Sequence, residues 1–281
     1  MFFLLLTILS SVSVSVVLKI SEARGGNRMV VAGANYVVAT LMAYIMMAEA
    51  STLRIGAGWV ALGLAAGVGF VAGFIFLMRG LKEIGLAIPT SAARLSMLIP
   101  VTGSIIVFDE QPSATQIVGI ISGVVAFILL GAAQRRGRAD LDFGAIGILV
   151  AIFATVGITD FSMKIAKAND IESVTLAFYI FLSASITCWL WVLVRRIRIK
   201  QGDLLLGVLL GIPNYFSVYF LLKALDRLAA SIVFPVVSAG AVVLVTIVAM
   251  LFWKERPNRI AWLGILLAAI AVALLGLQQG T

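Results

Sequence analysis

The chain has 281 residues, of which 62% are hydrophobic and only 12% charged, with a net charge of +8. A soluble domain carries about 25% charged residues, so there is too little polar surface here to clothe a water-soluble globule, and the chain is read as mostly embedded in lipid. A single cysteine excludes an internal disulfide, and the lack of histidine removes the commonest catalytic base and transition-metal ligand.

A helix needs about 20 apolar residues to cross the hydrocarbon. The first apolar run, 2–18, follows Met1 with no basic segment before it, so it reads as a spanning helix and not as a signal peptide. The second, 29–48, carries Asn35 and Tyr36; buried Asn serves either a cavity or a bond to a neighbouring helix. The third, 57–78, places Gly63 with Gly67 and Gly69 with Gly73 at a spacing that lets helices approach closely. The fourth, 86–108, contains Pro89, Ser91, Arg94 and Pro100. Arg94 lies about 12 Å into that span at helical rise. A charge at such depth is a functional candidate by default, here an anion-binding or counter-ion group. The alternative is a structural partner for an acidic group or for helix-end carbonyls.

The fifth run, 114–133, is followed by a polar, basic link over 134–142. The sixth, 143–163, ends near Asp160, four residues before Lys164. These two can form an interfacial pair on one helix face, or Asp160 is a protonatable site paired with Arg94. The seventh run, 174–194, holds Cys188 with no metal-ligand spacing around it. The eighth, 204–222, contains Pro213, which frees a backbone carbonyl beside Asn214. Tyr215 and Tyr219 follow on one face. The ninth, 230–252, carries Pro235 and Ser238 near the place that Pro89 and Ser91 hold in the fourth, so both spans read as proline-interrupted, a pointer to a binding site. The tenth covers 259–277. The runs lack the polar alternation of a membrane barrel, and backbone groups in lipid must pair internally, so all ten are helices.

The strongest signal is self-similarity. From Glu110 the chain reads E-x-P, then G-I, A and L-L-G, ending at Gly131, and from Glu255 the same residues recur at the same spacing to Gly276, at an offset of 145. Lys19-Ile20 and Ala23 match Lys164-Ile165 and Ala168 at that offset. The expected organisation is therefore two five-helix repeats, 1–133 and 143–277. An odd number of spans per copy inserts the copies in opposite directions, a common plan among secondary transporters.

The paired motifs carry a resemblance to a known family. Phe108-Asp109-Glu110-Gln111-Pro112 with Gly119-Ile120, and Trp253-Lys254-Glu255-Arg256-Pro257 with Gly264-Ile265, resemble the ends of spans four and nine in the EamA-like branch of the drug/metabolite transporter superfamily. The resemblance covers the whole chain. It implies export or exchange of small metabolites, amino-acid-like compounds or drugs, through a cavity lined by spans one, three, four, six, eight and nine. The substrate-binding candidates are thus Arg94, Asn214, Tyr215, Tyr219, Ser91, Ser238 and Asn35, with Asp160 as a proton-coupling candidate. No cofactor, metal or nucleic acid is expected, nor an enzymatic activity. The expected partners are a small-molecule substrate and the lipid of a bacterial inner membrane, and a homodimer is compatible with the sequence. A passive channel or a lipid-linked flippase is the competing reading.

Fifteen of the lysines and arginines fall in odd-numbered loops and five in even-numbered ones, Arg94 apart. The charge rule then places the odd loops in the cytoplasm and both termini outside, whereas the family resemblance implies cytoplasmic termini.

Overall fold

The computed structural model describes residues 2–49, 56–84, 87–133, 143–253 and 258–276, and among these every regular element is helical. In chain order they are α1 (Phe2–Ala23), α2 (Arg28–Glu49), α3 (Ala57–Glu83), α4 (Ala87–Leu95), α5 (Leu98–Val107), α6 (Ala114–Ala133), α7 (Phe143–Ala168), α8 (Ser173–Val194), α9 (Gln201–Leu225), α10 (Ala230–Trp253) and α11 (Arg259–Gly276). Among the described residues nine spans are long and apolar enough to cross a membrane, one of them Ile88–Val107 over α4 and α5 together. The apolar α11 has 18 residues, a rise of about 27 Å. The protein is an all-helical, multi-pass membrane protein.

The fourth span is two helices, and its break has a local cause. Pro100 has no N–H to give to the Ser96 carbonyl. The Ile99 N–H takes that carbonyl instead, one residue early, at 3.0 Å, and Met97 does the same with Arg94 at 3.3 Å. The ninth span behaves differently from the sequence expectation: α10 runs through Pro235 without interruption.

The chain divides into two compact units, Ala72–Phe161 with Leu228–Thr281, and Phe2–Val71 with Ser162–Arg227. Each is assembled from both halves of the sequence. In the first unit α6 packs along α11. A Cβ on Gly119 would stand 2.9 Å from Leu275 Cγ and 3.4 Å from the Ala271 carbonyl; one on Gly264 would stand 2.8 Å from Leu130 Cγ and 3.1 Å from the Ala126 carbonyl. Each member of the second trio lies 145 residues from its counterpart in the first, with the partners exchanged.

The second unit repeats this reciprocity. Gly67 faces the Ile180 carbonyl and Ser183, while Gly211 faces the Asn35 carbonyl and Val38. Gly63 meets Tyr179, and Gly207 meets Ala34. The helix-entry turns are also duplicated. Gly25 and Asp170 hold φ of 64° and 57°. The Gly26 N–H reaches the Ser21 carbonyl at 3.0 Å, as the Ile171 N–H reaches the Ala166 carbonyl at 3.1 Å.

In the first unit Glu110, which opens the repeated motif, closes the N-terminus of α10. Its two carboxylate oxygens accept from Ala230 N–H at 2.9 Å and Ser231 N–H at 3.0 Å. These are orphan donors of a first helical turn, and a carboxylate meets them with charge-assisted bonds. Glu110→Ala is expected to cost about 1–2 kcal/mol, the upper range for a lost cap, read as a lower Tm in detergent. Glu83→Ala removes only an exposed pair with Arg79, 2.9 Å long, and is expected to change Tm little.

Candidate functional site

In the first compact unit the polar groups gather at the break between α4 and α5. Arg94 occupies the last turn of α4, where a cation is favoured by the helix-end carbonyls. Ser96, in the break itself, donates to the Ala93 carbonyl at 2.6 Å and caps that end. Helix α7 presses against the break through Gly157, where a Cβ would lie 2.7 Å from the Ser96 carbonyl and 2.7 Å from Ile99 Cβ. Nothing larger than glycine fits, so the backbone itself is the contact surface.

One turn beyond Gly157 stands Asp160. Its charge acts on Arg94, and the Arg94 charge acts on it in return. Among the described residues no direct salt bridge joins them. Both side chains are half-buried. Arg94 and Asp160 are thus a basic and an acidic residue at span depth that make no direct salt bridge with each other among the described residues. Ser91 on α4 and Ser238 on α10 are half-buried as well. No hydrogen bond joins either serine to Arg94 or Asp160 among the described residues, so the structure brings Arg94 and Asp160 together but leaves the serines as separate positions.

In the second unit the candidates are ordered by α9. Tyr215 and Tyr219 stack with ring centroids 5.8 Å apart and planes 12° from parallel, as one helical turn on a shared face allows. Tyr215 also meets Phe181 at 6.3 Å, and Phe181 meets Tyr36 at 6.2 Å. The chain of rings binds α2, α8 and α9. Tyr215 is fully buried, and its hydroxyl has no hydrogen-bond partner. Asn35 is likewise buried with its Oδ1 unpartnered. Its backbone carbonyl lies against Gly211, one turn before Tyr215 on α9. Asn214 is half-buried beside them in sequence. Buried polar atoms without partners are costly, so these two hydroxyl and amide groups mark where a polar ligand atom would be rewarded.

Two further groups carry structure that pattern reading passed over. Ser11 and Ser217 share a hydrogen bond of 2.8 Å between α1 and α9. At the end of the same unit, buried Lys167 meets Asp226 at 2.6 Å and also donates to the Ile171 carbonyl. Ser173 adds a bond of 3.3 Å to Asp226. Helix-end position hides such residues among ordinary loop charges. Gly157 could have been noticed, since it lies three residues before the only acidic residue of its span.

Residues 143–277 match the EamA-like transporter family. A protein of Haemophilus influenzae, described as uncharacterized, is 26% identical over 278 residues, which covers 96% of this chain and 95% of that protein. A crystal structure that is 16% identical superposes with a TM-score of 0.81, over 97% of this chain and 94% of the other; at that identity the likeness is one of fold.

Proposed function

From the match of residues 143–277 to the EamA-like transporter family, we propose that the chain is a secondary carrier of small organic solutes that works by alternating access in a bacterial inner membrane. The carrying observation is the reciprocal packing at an offset of 145, or 144 for the second pair of glycines: Gly119 on Leu275 and Gly264 on Leu130, Gly67 on Ile180 and Gly211 on Asn35. Contacts in which i meets j while the equivalent of j meets the equivalent of i belong to a two-fold relation. Five spans per half make that relation an inverted one, with halves 1–133 and 143–277. Two copies that can exchange conformations open a shared site to either side in turn.

The substrate-binding candidates, in this reading, are Arg94, Ser91 and Ser238 within the first compact unit and, taken separately, Asn35, Asn214, Tyr215 and Tyr219 within the second. The opposed Arg94 and Asp160 supply charge, and Tyr215 and Asn35 supply unpartnered polar atoms. Asp160 is the protonatable member that would link solute movement to a proton gradient.

The test is a thermal-shift screen of small organic solutes on purified protein, followed by counterflow in proteoliposomes for each stabilising compound. A carrier shows saturable flux and accelerated exchange by trans substrate. Flux that rises linearly with concentration, without counterflow, would end this reading in favour of a passive facilitator.

A further inference from the structure

The duplicated turn between α1 and α2 differs from its copy between α7 and α8 in one respect. The backbone is the same: a left-handed residue at Gly25 or Asp170, then an N–H returned to the carbonyl five residues back. In the second copy the equivalent side chains are apolar, Ala166 and Ile171 being 0% and 8% exposed, and the buried charge beside them is paired, because Lys167 meets Asp226 and donates to the Ile171 carbonyl. In the first copy the equivalent positions are Ser21 and Gly26. Gly25 is needed for its positive φ, but Gly26 has no such φ, so glycine at 26 answers a demand for space.

The packing around that Cα is tight, and the neighbours are oxygens. A Cβ on Gly26 would lie 2.7 Å from Ser21 Oγ, 3.0 Å from Asp203 Oδ1 and 3.1 Å from the Ser21 carbonyl oxygen. Asp203 comes from the first turn of α9 and is 4% exposed, and Ser21 is 1% exposed. Asp203 Oδ2 and Ser21 Oγ are both buried without a hydrogen-bond partner. A buried carboxylate is expensive unless a cation or hydrogen bonds compensate it, and at the sister turn the Lys167 ammonium does this for Asp226.

We propose that Asp203, Ser21 Oγ and the Ser21 carbonyl form a binding site for a small monovalent cation of the sodium kind, at the junction of α1, α2 and α9. All the atoms offered are hard oxygens, which suits an alkali cation and not a soft metal. One carboxylate matches one positive charge, whereas a calcium site draws on six to eight oxygens, commonly from several carboxylates. The bound ion would pin the α1–α2 turn to the start of α9. The proposal concerns binding alone, so it stands apart from the transport reading.

The experiment is thermal unfolding of the purified full chain in choline chloride, with NaCl replacing choline at constant ionic strength. Saturable stabilisation of about 3–5 °C is expected, the size of shift that ligand excess produces by mass action. Asp203→Asn should abolish it. Ser21→Ala, which removes one ligand from a buried position and leaves the helix intact, should weaken it at least tenfold. Gly26→Ala should abolish it by filling the gap. Should Asp203→Asn not fold, Ser21→Ala and Gly26→Ala decide. An equal response to sodium, potassium and choline, no saturable response, or an undiminished response in Ser21→Ala and Gly26→Ala would overturn the site. A stabilisation that follows pH and ignores sodium would overturn it too, in favour of a proton.

Discussion

Gly67→Ala is expected to destabilise the folded protein by about 3 kcal/mol or more, beyond the usual cost of overpacking. The added methyl would run into the Ile180 carbonyl oxygen, would lie 2.6 Å from Ser183 Oγ and would stand 3.0 Å from the Ala184 nitrogen. Two of those three atoms are backbone, which cannot swing aside as a side chain can. The Ser183 hydroxyl is already committed to the Leu64 carbonyl, one turn earlier on α3, so the crossing of α3 and α8 must open as a whole. Gly58→Ala on the same helix is the control. Nothing lies within contact distance of a Cβ there, and alanine is favoured over glycine in a helix interior by about 0.8–1.0 kcal/mol. Thermal unfolding in detergent should show a sharp loss for the first variant and no loss for the second. Gly211→Ala should resemble Gly67→Ala, because Val38 Cβ and the Asn35 carbonyl occupy the equivalent places. Equal Tm values for Gly67→Ala and Gly58→Ala would refute this account of the close crossing.

The second large effect concerns charge. Arg94→Ala leaves Asp160 without its compensating cation at membrane depth, and stranding one member of a buried pair costs about 3–5 kcal/mol. A discount applies here, since both groups are half-buried and not in direct contact, so about 2 kcal/mol is the expected loss for Arg94→Ala. The double variant Arg94→Ala/Asp160→Asn should regain most of that stability, because neither charge remains to be solvated. Solute flux should not return with it. In the proposed site Arg94 supplies the positive group, so both variants should carry flux reduced at least tenfold. A double-mutant cycle reads the coupling directly. If the two substitutions are additive in Tm, the charges do not work as a pair. If the double variant recovers flux, Arg94 is a structural residue only.

Much of the fold was legible from the chain. Among the described residues nine of the ten apolar runs became spans long enough to cross, and the tenth is the shorter apolar helix α11. The sequence match between Glu110 and Glu255 stood out because charged residues and prolines seldom match by chance in apolar sequence, although Glu255 lies outside the described residues. The two prolines of the fourth and ninth spans were less informative. Pro100 breaks its helix because the Ser96 carbonyl finds an early partner in Ile99, whereas α10 carries Pro235 without a break. Nothing local in the sequence separates those outcomes. The stacking of Tyr215 on Tyr219 followed from helical spacing, whereas for Asp160 the sequence left open a pair with Lys164 or with Arg94. The roles of Gly157, Gly26 and Asp203 were not legible. A glycine in an apolar run gives no sign of which backbone it touches, and an aspartate at a helix start looks like any dipole-matched surface residue.

The left-handed turn that occurs once at Gly25 and again at Asp170 gives the two corners unequal backbone freedom. Glycine adopts that geometry freely while aspartate adopts it at a cost, so the corner at Asp170 carries a local conformational penalty that the corner at Gly25 avoids.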